Sequence, residues 1–338
     1  MNIVLLSHKF LPDIGGIETM TLFLAEIYCK ANYNVKVITW TQGISNEKFS
    51  FKVIRQPKAI DIIKEIKWAD IVLENNPTMR LSWPLLFTNK PLVIVFHTWL
   101  QRTNARIGWQ DRIKKLWLKR ANKIIAVSNA LANNLPKNTL VIKNPYRDTL
   151  FKIDENIVRD KDFVFLGRLV SDKGPDLAIT ALYELNKKGL DKNLTIIGDG
   201  PEKENLKKLS SSLDLDSKIN FKSSLFGEEL VMQLNKHNFL LVPSVWEEPF
   251  GLVVLEAMAC GCIPIVSNSG GLPEALGNAG LLFDKGNLNA LVEKMEYLIT
   301  NTTLRDNFRN EAISHLKNHN SEIIGKKYLD VVKNLLRK

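Results

Sequence analysis

A chain of 338 residues exceeds one ordinary core and suits two, since domains run to roughly 100–200 residues. Hydrophobic residues at 45% and charged residues at 24% match an ordinary globular protein, and no run of about 18 apolar residues marks a membrane span. The net charge of +10 leaves room for a polyanionic partner, whether nucleic acid, anionic lipid or a diphosphate.

The apolar run Asn2–Leu6 has no basic region before it and no small-residue cleavage site after it. It reads as a buried first strand rather than a signal peptide, so a cytoplasmic location is expected. Further strands are predicted at Asn34–Thr39, Ile71–Glu74, Leu92–Phe96, Lys123–Val127 and Leu140–Lys143. Each is rich in Val, Ile or Leu without alternation, the pattern of strands covered on both faces. Thr19–Lys30 carries apolar residues at helical spacing and reads as the first crossover helix. The polar segment Tyr146–Lys161 predicts a boundary, giving a first domain over 1–150 and a second over 151–338. Strands in the second are predicted at Phe163–Leu166, Leu194–Ile197, Ile219–Phe221, Phe239–Val242, Ile263–Val266 and Gly280–Phe283, with helices such as Asp176–Lys188 and Pro201–Ser212 between them. From about Leu304 the pattern is helical, and the terminal helix is expected to pack back on the first domain. The fold class is therefore α/β, with two Rossmann-like, doubly wound parallel sheets facing a cleft at their carboxyl ends.

Pro243 to Val266 holds the most chemistry. Glu248 lies in a loop and Glu256 on the helix that follows, with seven residues between them. Gly251 stands at the helix start, where free backbone N–H groups and the helix dipole favour an anion. Carboxylates beside an anion site suit the hydroxyls of a sugar and a ribose, which donate to them. Upstream, Arg168 and Lys173 sit among glycines in Phe165-Leu-Gly-Arg-Leu-Val-Ser-Asp-Lys-Gly174, at a strand end. Arginine binds a diphosphate bidentately and lysine acts as a point charge.

These stretches resemble the E-x7-E signature and the diphosphate-binding pair of the retaining glycosyltransferase family 4, whose fold is called GT-B. The resemblance implies that Glu256 holds the ribose hydroxyls and that Glu248 sits at the donor sugar. It also implies that backbone amides at Phe250, Gly251 and Leu252 contact sugar and diphosphate. Gly15 and Gly16, between the first strand and first helix, resemble the family's N-terminal glycine loop, which closes over donor phosphates and acceptor. His97, after the strand Leu92–Phe96, matches a histidine that reaches the donor sugar, although Thr98 replaces the usual Gly or Asp. Gly198 and Gly200 resemble the loop facing the nucleotide base, and a plain structural turn accounts for them too. Ser128 and Asn144 fit the strand-end polar positions near the acceptor.

The implied activity is retaining transfer of a hexose-type sugar from a nucleoside-diphosphate sugar to a glycan or lipid-linked acceptor, in envelope polysaccharide or lipopolysaccharide assembly. No cofactor or metal is expected. A nucleotide-sugar epimerase on the same fold is the alternative enzyme. A nucleic-acid-binding protein is the alternative outside enzymes, but no recognition helix or base-stacking motif appears, so nucleic acid is not expected as a partner.

Three features point elsewhere. Asp214-Leu-Asp216 is a D-x-D that reads as turn chemistry, and His315 and His319 read as residues of an exposed terminal helix. Cys29, Cys260 and Cys262 lack framework spacing and read as free thiols. Between Gln101 and Lys123, eight basic residues face one acid, Asp111, with Trp109 and Trp117 among them. Ile113, Leu116 and Trp117 fall at helical spacing. Such a helix either packs on its own domain or rests on an anionic membrane, which would place the protein peripherally on the inner membrane face.

Overall fold

The computed structural model describes residues 1–13, 15–43, 48–100 and 116–337. Two units divide the chain: Met1–Asn144 together with Glu322–Lys338, and Pro145–Ser321.

The first unit is built on a seven-stranded parallel sheet. Its strands are β1 (Asn2–Ser7), β2 (Asn34–Thr39), β3 (Lys52–Arg55), β4 (Ile71–Asn75), β5 (Leu92–Phe96), β6 (Lys123–Ala126) and β7 (Leu140–Val141), in the order β3-β2-β1-β4-β5-β6-β7. Strand β1 pairs with β2 on one side and β4 on the other, so the winding reverses at β1. The carboxyl ends of strands beside such a reversal are where ligands bind in open α/β sheets. Here those ends carry Ser7, Asn75 and, one strand further out, His97. Strand β3 was not predicted. It is a four-residue edge strand, Lys-Val-Ile-Arg, with no fully buried position, so it lacks the apolar run that marks its neighbours.

Helix α1 (Gly16–Lys30) covers this sheet with Met20, Leu24, Ala25 and Tyr28. The same core receives Ile324, Tyr328 and Val332 from the C-terminal helix Ser321–Leu336. That helix approaches α1 closely, since a Cβ at Gly325 would lie 3.2 Å from Ile27. Tyr28 and Tyr328 are fully buried with hydroxyls that find no partner among the described residues.

The second unit holds a six-stranded parallel sheet of β8 (Lys161–Leu166), β9 (Leu194–Ile197), β10 (Ile219–Lys222), β11 (His237–Val242), β12 (Ile263–Ser267) and β13 (Leu281–Phe283), in the order β10-β9-β8-β11-β12-β13. Its reversal lies between β8 and β11, which pair directly. Phe163, Phe165, Leu194, Ile196, Phe239 and Leu241 form the sheet side of a core closed by the helix Pro175–Lys187 and by Leu288–Thr300. Among the described residues no helix is long and apolar enough to cross a membrane.

Candidate active site

In the second unit the chemistry gathers at the carboxyl ends of β8 and β11. Past β8 the chain runs through Gly167, Arg168 and Leu169 against the loop after β9. Leu169 N–H donates to the Asp199 carbonyl at 2.9 Å. A Cβ at Gly198 would lie 1.9 Å from the Gly167 carbonyl, and one at Gly200 would lie 2.3 Å from that of Leu169. Backbone contact between the two loops thus accounts for both glycines. Arg168 is exposed, and its guanidinium has no hydrogen-bond partner among the described residues.

The Lys173 turn is stitched to the end of β11. Val245 and Trp246 N–H groups donate to the Asp172 carbonyl at 3.0 and 3.2 Å. Gly174 follows in a left-handed conformation (φ 66°), and a Cβ there would sit 2.2 Å from the Pro243 carbonyl. This places Lys173 Nζ 2.5 Å from Glu248 Oε1. The Ser244 hydroxyl donates to the same oxygen at 2.7 Å, and the Glu248 carbonyl accepts from Gly271 N–H at 2.7 Å. Glu248 is only 7% exposed, whereas its neighbour Glu247 is exposed and pairs with Lys285. The two adjacent glutamates therefore occupy different worlds, one inside the site and one on the surface.

Beyond Glu248, Phe250 is buried and its ring lies 5.6 Å from that of His319. Gly251 is the N-cap of the helix Leu252–Ala259 and no side chain caps that end. Glu256 sits half-buried on this helix, and its carboxylate makes no hydrogen bond among the described residues. Burial pushes its pKa up to about 7, opposed by the positive charge of Arg147. A desolvated carboxylate without donors is placed to accept hydrogen bonds from a ligand.

The histidine pair departs from the sequence expectation. His319 is buried, its ring 4.7 Å from that of His315, and His315 Nε2 donates to the Ala275 carbonyl at 2.8 Å. His319 packs against Phe250 and His315 against Ala275, instead of both projecting from an exposed helix. Asp216 accepts from the hydroxyls of Ser210 and Ser211, and Asp214 adopts a left-handed φ of 56°, so the D-x-D is a turn. The three cysteines are free.

In the first unit His97 is buried, and its Nε2 lies 2.7 Å from Asn75 Oδ1. Asn75 in turn donates to Thr21 Oγ1 at 2.7 Å and to the Ile17 carbonyl at 3.0 Å. Burial lowers the His97 pKa to about 3, so the ring is neutral, with Nε2 as donor toward the amide oxygen and Nδ1 as acceptor. The relay ties His97 to the start of α1, just past Gly15 and Gly16. Glu18 is 5% exposed, and its Oε2 would meet a Cβ at Gly15 at 2.6 Å. A carboxylate at this helix start suits hydroxyl donors better than the phosphate expected from the glycine pair. Ser128 is a helix cap, accepting from Leu131 N–H at 3.1 Å. An open groove of about 590 Å³ lies elsewhere in this unit, lined by Leu100, Lys119, Lys123 and Leu135, and none of the site residues named above reaches it.

Residues 147–315 match the family described as Glycosyl transferases group 1, and residues 14–144 match Glycosyltransferase Family 4. An uncharacterized glycosyltransferase of Haemophilus influenzae is 32% identical over 335 residues, covering 86% of this chain and 88% of its own length. The chain belongs to the group 1 glycosyl transferases. Other relatives at 30–34% identity are matched over only 36–52% of their own length. Sucrose-phosphate synthase of Thermosynechococcus elongatus shares the fold with a TM-score of 0.86 at 19% identity, covering 99% of both chains. The Anabaena protein HepE, in complex with UDP and glucose, has a TM-score of 0.82 at 19% identity, covering 99% of this chain and 100% of its own. Two parallel-sheet α/β domains of the GT-B fold are thereby established.

Within this group 1 glycosyl transferase, sequence reasoning did not single out Asn75, Ser244 or Glu18. Asn75 and Ser244 follow the same rule. Each is a polar residue at or just beyond the carboxyl end of an apolar strand next to the winding reversal, and that position was the signal available.

Proposed function

We propose that this glycosyl transferase moves a hexose-type sugar from a nucleoside-diphosphate sugar to an acceptor hydroxyl with retention at the anomeric carbon. The observation that carries the reading is the Lys173–Glu248 pair at the joined ends of β8 and β11, ahead of a helix whose start has no side-chain cap. A diphosphate arriving there competes with Glu248 for Lys173 and recruits the exposed Arg168. The carboxylate is then released toward the sugar hydroxyls. The anomeric C–O bond to the β-phosphate breaks while the acceptor oxygen bonds the same face, and the acceptor proton passes to the departing phosphate oxygen. Arg168, Lys173 and the amides at Phe250, Gly251 and Leu252 stabilise the charge that collects on the diphosphate, the place where preorganised donors act most strongly. Glu256 accepts from the ribose hydroxyls. His97, held neutral, acts as a hydrogen-bonding group and not as a proton shuttle at neutral pH. Gly15 and Gly16 line the acceptor side.

The UDP and glucose of the HepE complex favour a UDP-sugar donor. Two cationic side chains on the diphosphate make a bound metal unnecessary, so chelators should leave turnover intact. The acceptor is a glycan or lipid-linked intermediate of envelope polysaccharide assembly, with the enzyme working at the inner membrane face. Saturation-transfer NMR against a panel of nucleotide sugars, then product NMR with lipid-linked acceptors, tests the reading. It fails if no nucleotide sugar binds, or if the product anomer is inverted. Conversion of the donor without acceptor would instead mark an epimerase.

A further inference from the structure

The chain's positive charge is concentrated in one stretch. From Met79 to Lys123 there are ten basic residues against a single acid, in a chain whose net charge is +10. Among the described residues of that stretch, five are basic and none is acidic. The same stretch exposes large apolar side chains. The short 3-10 turn Trp83–Phe87 buries Pro84 and Leu85 and leaves Trp83, Leu86 and Phe87 exposed by 36%, 63% and 79%. Leu116, likewise 63% exposed, lies in the same basic stretch, next to Trp117.

These side chains stand on a rigid base. The buried Glu74 carboxylate accepts from the Ser82 hydroxyl at 2.8 Å, immediately before Trp83, and from Trp117 Nε1 at 2.8 Å, immediately after Leu116. One carboxylate thus ties the residue before Trp83 to the residue after Leu116 and brings the two segments together. Arg120 spans the turn from the other side, donating to the carbonyls of Leu85, Thr88 and Lys90 at 3.2, 2.8 and 2.7 Å. Lys90 is held by the Ala69 carbonyl at 2.5 Å. Carbonyl groups orient these cations without neutralising them, so the surface keeps its positive potential. Trp83 and Phe87 meet edge to face with centroids 6.3 Å apart, which fixes their orientation.

We infer that Trp83, Leu86, Phe87 and Leu116 form an apolar wedge that inserts into the headgroup region of an anionic lipid bilayer, with the surrounding basic residues held against the lipid phosphates. Apolar side chains at the interface and a basic rim supply the two attractions that hold a peripheral protein on such a membrane. A second copy of the chain fits less well, because two-fold pairing through this patch would set two basic surfaces face to face. The sequence left two readings for a helix face of Ile113, Leu116 and Trp117, packing on its own domain or resting on an anionic membrane. Trp117 is buried against Glu74, as packing requires, and residues 101–115 lie outside the described residues. The contact passes to the Trp83–Phe87 turn.

The inference rests on the proposed membrane-side placement but not on sugar transfer. The test is co-sedimentation of the full chain with phosphatidylcholine vesicles, with and without phosphatidylglycerol, at rising salt. Wild type should bind only the anionic vesicles, and salt should release it. The double variant Leu86→Ser/Phe87→Ser should bind at least about tenfold more weakly. Lys119→Ser should bind with a shallower salt dependence. Trp83 fluorescence, assigned by difference from Trp83→Phe, should be quenched by brominated lipid. Equal binding by wild type and the double variant would overturn the wedge, as would a dimer that the double variant abolishes. Nucleotide-sugar affinity and turnover on a water-soluble acceptor, measured in the same samples, should not change in the double variant. Vesicle binding that follows these variants in a protein with no nucleotide-sugar affinity would refute the proposed function and leave the membrane surface standing.

Discussion

Replacing Glu256 by glutamine separates two opposite effects of one carboxylate. Burial raises its pKa from 4.5 to about 7, and only the exposed Arg147 opposes the shift. The unfolded chain gives up this proton at its ordinary value, while the folded chain keeps it until about pH 7. Between those values the folded state holds more protons, so this group's contribution to stability falls as pH rises. Above pH 7 the ionised side chain costs the fold at most roughly 3 kcal/mol, at about 1.36 kcal/mol per pH unit. Solvent reaching the half-buried group reduces that cost to about 1–2 kcal/mol. Glutamine carries no such cost. Glu256→Gln should therefore be the more stable protein at pH 8, by about 1–2 kcal/mol, and the advantage should vanish below pH 4.5. Thermal and urea unfolding at the two pH values measures this. The same change removes a charged acceptor from the ribose hydroxyls, worth ~1.5–3 kcal/mol per hydrogen bond, so calorimetric affinity for UDP should drop about 10- to 100-fold. A variant that binds UDP as tightly as wild type, or is the less stable protein at pH 8, would refute the reasoning.

Glu248→Ala should depress turnover by about 100-fold or more while nucleotide affinity does not fall, because Lys173, released from its ion pair, still meets the diphosphate; full activity in a transfer assay would remove Glu248 from the mechanism. Arg168→Ala and Lys173→Ala should each weaken binding of UDP about 10- to 100-fold and that of uridine hardly at all, by titration calorimetry. Equal losses for the two ligands would show that neither side chain touches phosphate. His97 titrates near pH 3 folded and near 6.5 unfolded, so its contribution to stability is present above pH 6.5 and lost as pH falls toward 3. His97→Gln should flatten that part of the acid unfolding curve, and the turnover profile should show no step near pH 6.5 from this ring. Tyr328→Phe removes a buried hydroxyl without a partner and should stabilise the protein by up to about 1 kcal/mol in thermal unfolding, a gain that a hydrogen-bonded hydroxyl would not give.

The parallel strands were readable because burial on both faces writes them as continuous apolar runs. Asn34–Thr39, Leu92–Phe96 and Leu194–Ile197 stand as predicted, and most other strands differ only by a residue or two at their ends. Lys52–Arg55 escaped because an edge strand needs only partial burial, and its charged ends mask the pattern. At the site, seven-residue spacing distinguished Glu248 from Glu247, and burial separates the two in the same way. The partners of these residues were hidden. Ser244 and Asn75 act through contacts between strand ends that are distant in sequence, and a lone serine or asparagine has no pattern that marks it. His319 misled because its spacing from His315 suggested an exposed helix, whereas the helix ends at Lys317 and the ring turns inward to Phe250. Glu74 lay within a predicted strand, where a buried carboxylate is not anticipated without sight of Ser82 and Trp117.

The helix Ser321–Leu336 gives the first unit's core its Ile324, Tyr328 and Val332, although the whole second unit intervenes in the chain. On a ribosome, the sheet of the first unit emerges with one apolar surface uncovered. It stays so while residues 145–321 are made, a wait of roughly 10–40 s at ordinary elongation speeds. The second unit has no such debt, because all of its strands and covering helices lie within one unbroken segment. The later-synthesised half can therefore finish folding before the earlier one. A fragment ending at Asn144 would keep the open surface permanently, so chaperone dependence and aggregation in this protein should trace to its first half.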